Sequence, residues 1–437
     1  TKRLYYTDSF LFNFDAMVTE IQELSRTNGQ SLWRVALDRS AFYPTSGGQP
    51  HDIGTLVATA RSGAELSAEI VGVEEDEHGE LWHHTAKPLL PGTPVRGAID
   101  RARRLNHIQQ HSGQHLLSAA FFRICGARTI SFHLGETVST IDLATEEISS
   151  ETLQQVESLV NQIIAEDFPF TVSTVSRVQA EAWLASGDLR KLPSRQGDLR
   201  IIEIGGSAEI GGAPGIDSTD TPFDRNACGG THVRSSGQIG GLHLRNLEKV
   251  RDGWRVEFVC GLRAVRSAHQ DFHTLTETAR QLSIALAEVP GAVARLQSEG
   301  KQSAKEIQAQ RSELAGFRAA ELLREIPIEN GLRLVRLQLG PTGNPAYAKL
   351  LAAKLTAQTE KTAAIFGWQS AQQNEAATVI VACSSDLDFN CGTILRQALG
   401  EHQGRGGGSK EMAQGSVARE HLEAVLKNLA AKARSTV

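Results

Sequence analysis

Five cysteines in 437 residues (Cys125, Cys228, Cys260, Cys383 and Cys391) are too few, and odd in number, for a disulfide framework. They point to a reducing compartment, with the cytoplasm as the default. No apolar run approaches the roughly 20 residues that cross a bilayer, and no charged, apolar and small-residue leader is present, so no membrane partner is expected. The chain begins TKRLYY without an initiator Met. Positive charge is also short: 45 Lys and Arg against 50 Asp and Glu leave a net −5. Such a balance does not advertise a nucleic-acid binder, and RNA contact would need local basic patches. Neither GxxxxGK nor GxGxxG follows a strand and opens a helix, so ATP is not expected. At 40% hydrophobic and 22% charged residues the composition is that of an ordinary globular chain. Its length suits two to four domains.

Two short stretches stand out against this background, HSGQH (111–115) and CGGTH (228–232). Each puts two borderline or soft ligands at i and i+4, one helical turn apart. His111 and His115 with Cys228 and His232 are the four donors of a tetrahedral Zn2+ site. Either pair alone is a weak signal. Together, the second wrapped in glycine, they are a strong one.

Residues 1–95 read as a β-rich domain of short alternating segments, most simply a small barrel or curled sheet. Within it, TSGGQP (45–50) is either a tight turn or a loop whose backbone N–H groups face a substrate. Residues 100–126 form a helical pattern opened by Arg101, Arg103 and Arg104, with Leu116, Leu117, Ala120 and Phe121 as its apolar stripe. The arginines could meet phosphates or form a solvated helix start. His107 shares the face of His111 and His115 and reads as a helix-surface or supporting histidine. Strands over 129–144, a helix over 148–167 and an apolar strand near 201–204 give an α+β core over 96–263. Arg190, Lys191, Arg195 and Arg200 precede that last strand. GGSAEIGGAPG (205–215) reads as a flexible insertion or, with less support, a lid. Cys260 reads as a buried small hydrophobe. From 264 to 325 the pattern is helical: one helix to Ala287, a break at EVPG, then a second to Arg324 as a spacer or coiled coil. The chain is thus a monomer or a homodimer. Residues 326–437 alternate strands and helices, followed by a GRGGG loop and a final helix over 417–434. Arg405 and Lys410 flank those glycines and could hold a phosphate, although a plain linker loop is equally compatible.

HSGQHLLSAAF and ACGGTHV resemble the zinc motifs of the alanyl-tRNA editing domain, found in alanyl-tRNA synthetases and in freestanding AlaX-type proteins. FYPTSGGQP (42–50) is similar to that family's glycine-rich loop, and GRGGGSKEMAQGS (404–416) resembles the glycine-rich end of the DHHA1 domain. The four matches occur in family order. The resemblance implies an α+β multidomain chain: a barrel-like domain (1–95), a zinc-containing editing core (96–263), a helical hairpin or coiled-coil spacer (264–325) and an α/β DHHA1-like domain (326–437). It further implies a freestanding, zinc-dependent deacylase of the long AlaX form. Its substrates would be Ser-tRNA(Ala) and, secondarily, Gly-tRNA(Ala), with Ala-tRNA(Ala) spared. Thr45, Gly47, Gly48 and Gln49 would line the reacting ester, Thr45 reading the substrate hydroxyl. Arg101, Arg103, Arg104, Arg405 and Lys410 would contact tRNA. No Ser-His-Asp nucleophile elbow is present, so water would attack directly. The rival readings are a non-catalytic RNA-binding protein with a structural zinc, a synthetase fragment, and a DHH-type phosphoesterase. The second lacks a recognisable aminoacylation module and the third lacks the DHH metal motif.

Overall fold

The computed structural model describes residues 1–27, 30–60, 62–193, 197–205, 222–340, 344–357, 359–370 and 376–435. The chain forms two compact units, Thr1–Glu277 and Thr278–Val437.

The first unit opens with strands β1 (Lys2–Arg3), β2 (Asn13–Thr27), β3 (Gln30–Leu37), β4 (Arg39–Ser40), β5 (Gly54–Thr59), β6 (Glu65–Ile70), β7 (Gly72–Glu75), β8 (Leu81–Thr85) and β9 (Pro94–Ile99). Seven of them build an antiparallel sheet in the order β6-β5-β9-β2-β3-β8-β7. Its two edge strands, β6 and β7, are separated in sequence by Val71 alone. The sheet therefore curls until its edges meet at one corner, around a core that includes Val35, Leu37, Phe42, Leu56 and Ile70. No ladder pairs β6 with β7 among the described residues, so the expected barrel is a curled, unsealed sheet.

Helix α1 (Arg101–Cys125) follows at once. The Asp100 carboxylate accepts the Arg103 N–H at 2.9 Å as N-cap, and Gly126 ends the helix with φ 68°, a left-handed turn that glycine adopts freely. The expected stripe of Leu116, Leu117, Ala120 and Phe121 is buried. The burial runs much further round the helix: His107, Gln110, His111, Gln114 and His115 are inside too. α1 packs against two neighbours. One is helix α2 (Ser150–Ala165), whose N-cap is Ser149. The other is a sheet of β10 (Arg128–Leu134), β11 (Ser139–Ala144), β15 (Leu242–Val250) and β16 (Gly253–Cys260), in the order β10-β11-β16-β15. Gly113 allows this close approach, because a Cβ there would lie 2.2 Å from the Cys260 sulfur. Gly113→Ala is therefore expected to destabilise the first unit by about 1–3 kcal/mol through overpacking, despite alanine's better helix propensity. Urea unfolding of the intact variant measures it. Cys260 is the buried hydrophobe its sequence suggested, and burial pushes its thiol up. A second small sheet joins β12 (Phe170–Val175), β13 (Leu199–Ile204) and β14 (Asp224–Ala227), covered by α3 (Arg177–Ser186).

α4 (Gly261–Leu282) ends earlier than Ala287, where Ser283 takes φ 55°. The EVPG stretch opens the next helix rather than breaking one. α5 (Val289–Glu325) carries Pro290 in its first turn, where the missing N–H has no intrahelical partner to lose.

In the second unit, β17 (Arg333–Leu339), β18 (Thr362–Trp368), β19 (Ala377–Cys383), β20 (Arg405–Gly408) and β21 (Met412–Val417) form one sheet in the order β17-β18-β19-β21-β20. Period-two alternation sends Ala364 and Phe366 to one face, against α5 and α6 (Pro345–Ala357). Ala363 and Ile365 face the other side, against α7 (Cys391–Gly400) and α8 (Leu422–Arg434). The GRGGG stretch is the edge strand β20, not a loop. Its glycines serve close packing: a Cβ on Gly406 would lie 2.6 Å from a Leu399 methyl carbon and 2.7 Å from the Gly415 Cα. The final helix accordingly starts at Leu422, after β21 has used residues through Val417.

Candidate metal centre

His111 and His115 leave one face of α1, and Cys228 and His232 come from the glycine-rich turn after β14. One donor atom from each converges so that all four lie within 4.8 Å of one another. Cys228 is partly buried and the three histidines are buried. The Cys228 sulfur stands 3.4 Å from His111 Nε2 and 3.3 Å from His232 Nε2. Gly230 is required beside them, because a Cβ there would sit 2.1 Å from His111 Cε1.

The surroundings fix which nitrogen of each ring faces inward. The Gln49 side-chain oxygen accepts the Thr231 backbone N–H at 3.1 Å, so the atom 2.8 Å from His111 Nδ1 is an acceptor. Nδ1 therefore carries the proton and donates it, leaving the Nε2 lone pair toward Cys228. The Gln49 amide nitrogen donates to Thr231 Oγ1 at 2.8 Å, which locks the glutamine. His115 Nδ1 lies 3.3 Å from an Asp224 carboxylate oxygen, and Asp224 is held in turn by Arg190 and Asn226. Ser112 Oγ stands 3.5 Å from His232 Nδ1. Arg200 donates to the carbonyls of Cys228 (2.8 Å) and Gly230 (3.0 Å), clamping the turn that carries the thiol.

Electrostatics reinforce this arrangement. Burial alone would raise the Cys228 thiol, but His111 and His232 outweigh it and hold the group well below its ordinary range, as a thiolate. Burial pushes His232 down to about 3. It would lower His115 as well, but Asp224 and Cys228 reverse this and raise that ring to about 9. A thiolate and imidazoles whose outer nitrogens are already occupied, with His115 giving up a proton as the ion binds, are the donor set a borderline divalent cation takes.

The glycine loop lies at one side of this cluster. Ser46 and Gln49 exchange backbone hydrogen bonds (3.1 and 3.0 Å) across Gly47 and Gly48, both at positive φ. Gly48 packs on Phe132, whose ring stands 5.5 Å from that of His111. Gln49 is fully buried, with its side-chain oxygen on His111 Nδ1. Gln49→Ala is expected to weaken metal affinity by about 10- to 100-fold, the usual cost of losing a partner behind a ligand; competition with a fluorescent zinc chelator measures this. Thr45 is exposed, with its hydroxyl 2.9 Å from His51 Nδ1.

The basic candidates divide. Arg104 does not present a cation to solvent. It is fully buried in an ion pair with Asp52 and donates to the carbonyls of Ser9 (2.8 Å) and Ala41. Arg101 is exposed and lies over the Phe12 ring at 5.1 Å. Arg103 donates to the His51 carbonyl at 3.0 Å. In the second unit Arg405 and Lys410 are both exposed, Lys410 standing 3.8 Å from Asp388. His107 is buried rather than on the helix surface. Arg195 and residues 206–215 of the glycine-rich run lie outside the described residues. A cleft of about 920 Å³ beside Lys249, Arg251 and Trp254 contains none of the metal-site residues. Sequence reasoning missed Ser112, Asp224, Asn226 and Thr231. Asp224 and Thr231 lie within four residues of Cys228, and a carboxylate or hydroxyl that near a ligand pair is the available signal.

Residues 199–256, which include Cys228 and His232, match the threonyl and alanyl tRNA synthetase second additional domain, and residues 334–435 match the DHHA1 domain. The chain is 29% identical over 423 residues to the alanine–tRNA ligase of Methanoculleus marisnigri, covering 95% of this chain and 41% of that protein. It is 30% identical over 426 residues to that of Methanothrix thermoacetophila, covering 95% of this chain and 42% of the ligase. The chain thus spans less than half the length of these relatives. The C-Ala domain of Aquifex aeolicus alanyl-tRNA synthetase aligns with 24% of this chain and 97% of its own length, at 17% identity and a TM-score of 0.21, too slight a likeness to carry weight. No described helix is long and apolar enough to cross a membrane. Both domain matches fall in order and the alignment runs through nearly the whole chain, so this protein is similar to the part of alanine–tRNA ligases that carries the second additional domain and the DHHA1 domain.

Proposed function

We propose that this chain is a zinc-dependent trans-editing hydrolase that removes serine, and secondarily glycine, from mischarged tRNA(Ala). The observation that carries the reading is the convergence of His111, His115, Cys228 and His232 inside a domain aligned with alanine–tRNA ligases. The donor chemistry fits zinc, and these four side chains would hold it. When bound, the ion supplies a fixed positive charge beside the ester. The chain's own groups do the rest. Gln49 and Asp224 orient the imidazoles, while Gly47 and Gly48 give the loop the backbone freedom to aim N–H groups at a developing oxyanion. Water attacks the ester carbonyl, the bond to the ribose oxygen breaks, and that oxygen takes the proton, releasing serine and a free 3′ end. Thr45 is the candidate reader of the serine hydroxyl, and a hydrogen-bonding pocket can separate serine from alanine where a size filter cannot. Arg101, Arg103, Arg405 and Lys410 are the proposed RNA contacts. ATP plays no part.

A second reading has one observation in its favour. Four protein donors close a tetrahedral site, as in structural zinc centres, and a non-catalytic RNA-binding protein would need no more. The two part on one experiment, in which the purified chain is assayed for bound zinc and for serine release from labelled Ser-tRNA(Ala). Stoichiometric zinc with release supports the hydrolase. Zinc and RNA binding with an intact ester support the rival.

A further inference from the structure

Beside the first turns of α1 and α4 lies a group of polar side chains that the metal centre does not use. Arg263, the third residue of α4, is 8% exposed. Its guanidinium donates to the Gly135 carbonyl at 2.9 Å, and no carboxylate of the described residues pairs with it. Burial and the neighbouring Arg266 push that guanidinium down, the condition an anion would relieve. His107 is 5% exposed, and its Nδ1 has no hydrogen-bond partner among the described residues. The cations that act most strongly on its ring are Arg103 and Arg263. The acids near this group are Glu136, 86% exposed and 4.0 Å from Arg103, and Asp100, whose carboxylate caps α1 through the Arg103 N–H; Asp52 is taken by Arg104. Among the described residues, the guanidinium groups of Arg103 and Arg263 have one long ion pair between them, to Glu136, beside an unsatisfied imidazole and the positive end of a 22-residue helix.

We propose that Arg263, Arg103 and His107 form an anion site that takes the phosphodiester immediately 5′ of the aminoacylated nucleoside. The inference rests on the deacylase reading. Its geometry suits that substrate: His107 precedes His111 by four residues, about 6 Å along the helix axis, comparable with the ribose that separates a 5′-phosphate from a 3′-ester. The site would anchor the terminal nucleotide and set how far the ester reaches toward the metal ligands.

The test compares two non-hydrolysable probes on the full-length zinc-loaded protein, the 3′-seryl-amide of adenosine and that of cytidylyl-adenosine, by calorimetry. The wild type should bind the dinucleotide about tenfold more tightly, the worth of one charge-assisted contact. Arg263→Gln, Arg103→Gln and His107→Phe should each bring the ratio toward one, and Arg263→Lys should keep most of it. Arg103 is partly exposed, so its variant serves if Arg263→Gln does not fold. A wild-type ratio of one, or a ratio unmoved by Arg263→Gln and Arg103→Gln with zinc retained, overturns the proposal. Inorganic phosphate that competes with the dinucleotide supports a phosphodiester site; phosphate binding without any dinucleotide advantage assigns the pocket to free anions and also overturns it. Failure of the deacylase reading looks different, as an intact Ser-tRNA(Ala) ester and no binding of either amide.

Discussion

Cys228→Ala is expected to lose both the metal and the deacylation, with serine release from Ser-tRNA(Ala) falling by at least about a hundredfold. The thiolate is the anion of the set, and three histidines converge on it from two separate segments. Without it the remaining donors are neutral rings around an uncompensated dication, and the loss should exceed the 10- to 100-fold typical of a mere supporting partner. The fold should largely survive, since α1 is also held by its core against α2 and the four-stranded sheet. Zinc quantification, deacylation rate and circular dichroism on one preparation separate these effects. A variant that is metal-free, folded and fully active would assign the chemistry elsewhere.

Asp52→Ala should be more destabilising than Gly113→Ala, at about 3–5 kcal/mol, because it strands the Arg104 guanidinium in the interior. Asp52 and Arg104 are both fully buried, and the carboxylate also accepts the Tyr43 backbone N–H at 2.6 Å. That contact, with the Asp52 N–H on the Tyr43 carbonyl at 3.0 Å, closes the base of the loop that carries Gln49. The variant should therefore lose metal affinity as well as stability, through His111. Removing both partners, as Asp52→Leu with Arg104→Met, should cost less than the sum of the single changes, since no buried charge is left unpaired. Urea unfolding of the four proteins gives the cycle. Additive costs would mean that the pair contributes little as a pair.

The local half of this molecule is legible in its sequence. Spacing of three and four residues marks the long helices, and the two i,i+4 ligand pairs mark the metal cluster without reference to anything distant. The features that stay hidden are non-local or depend on context. Arg104 stands in the first turn of a helix, where an arginine ordinarily faces water, and nothing nearby announces that Asp52 awaits it 52 residues earlier. Gln49 resembles a substrate contact because it sits in a glycine turn, yet its partner His111 is 62 residues away. The GRGGG run reads as a loop because glycine usually means freedom. Here it allows β20 and β21 to pack against Leu399, a demand visible only once α7 is in place. EVPG reads as a break because proline ends helices more often than it begins them. The two cases differ only in whether the residues after the proline keep a helical pattern, and here they do, through Glu325.

The most direct measurement is the rate of ester cleavage on Ser-tRNA(Ala) and Ala-tRNA(Ala) under identical single-turnover conditions with the zinc-loaded protein. Cleavage of the seryl ester is expected to be faster by on the order of a thousandfold or more, the discrimination available to a pocket that hydrogen-bonds a hydroxyl. Equal rates on the two esters, or no serine released at all by a zinc-replete protein, would contradict a serine-selective editing site.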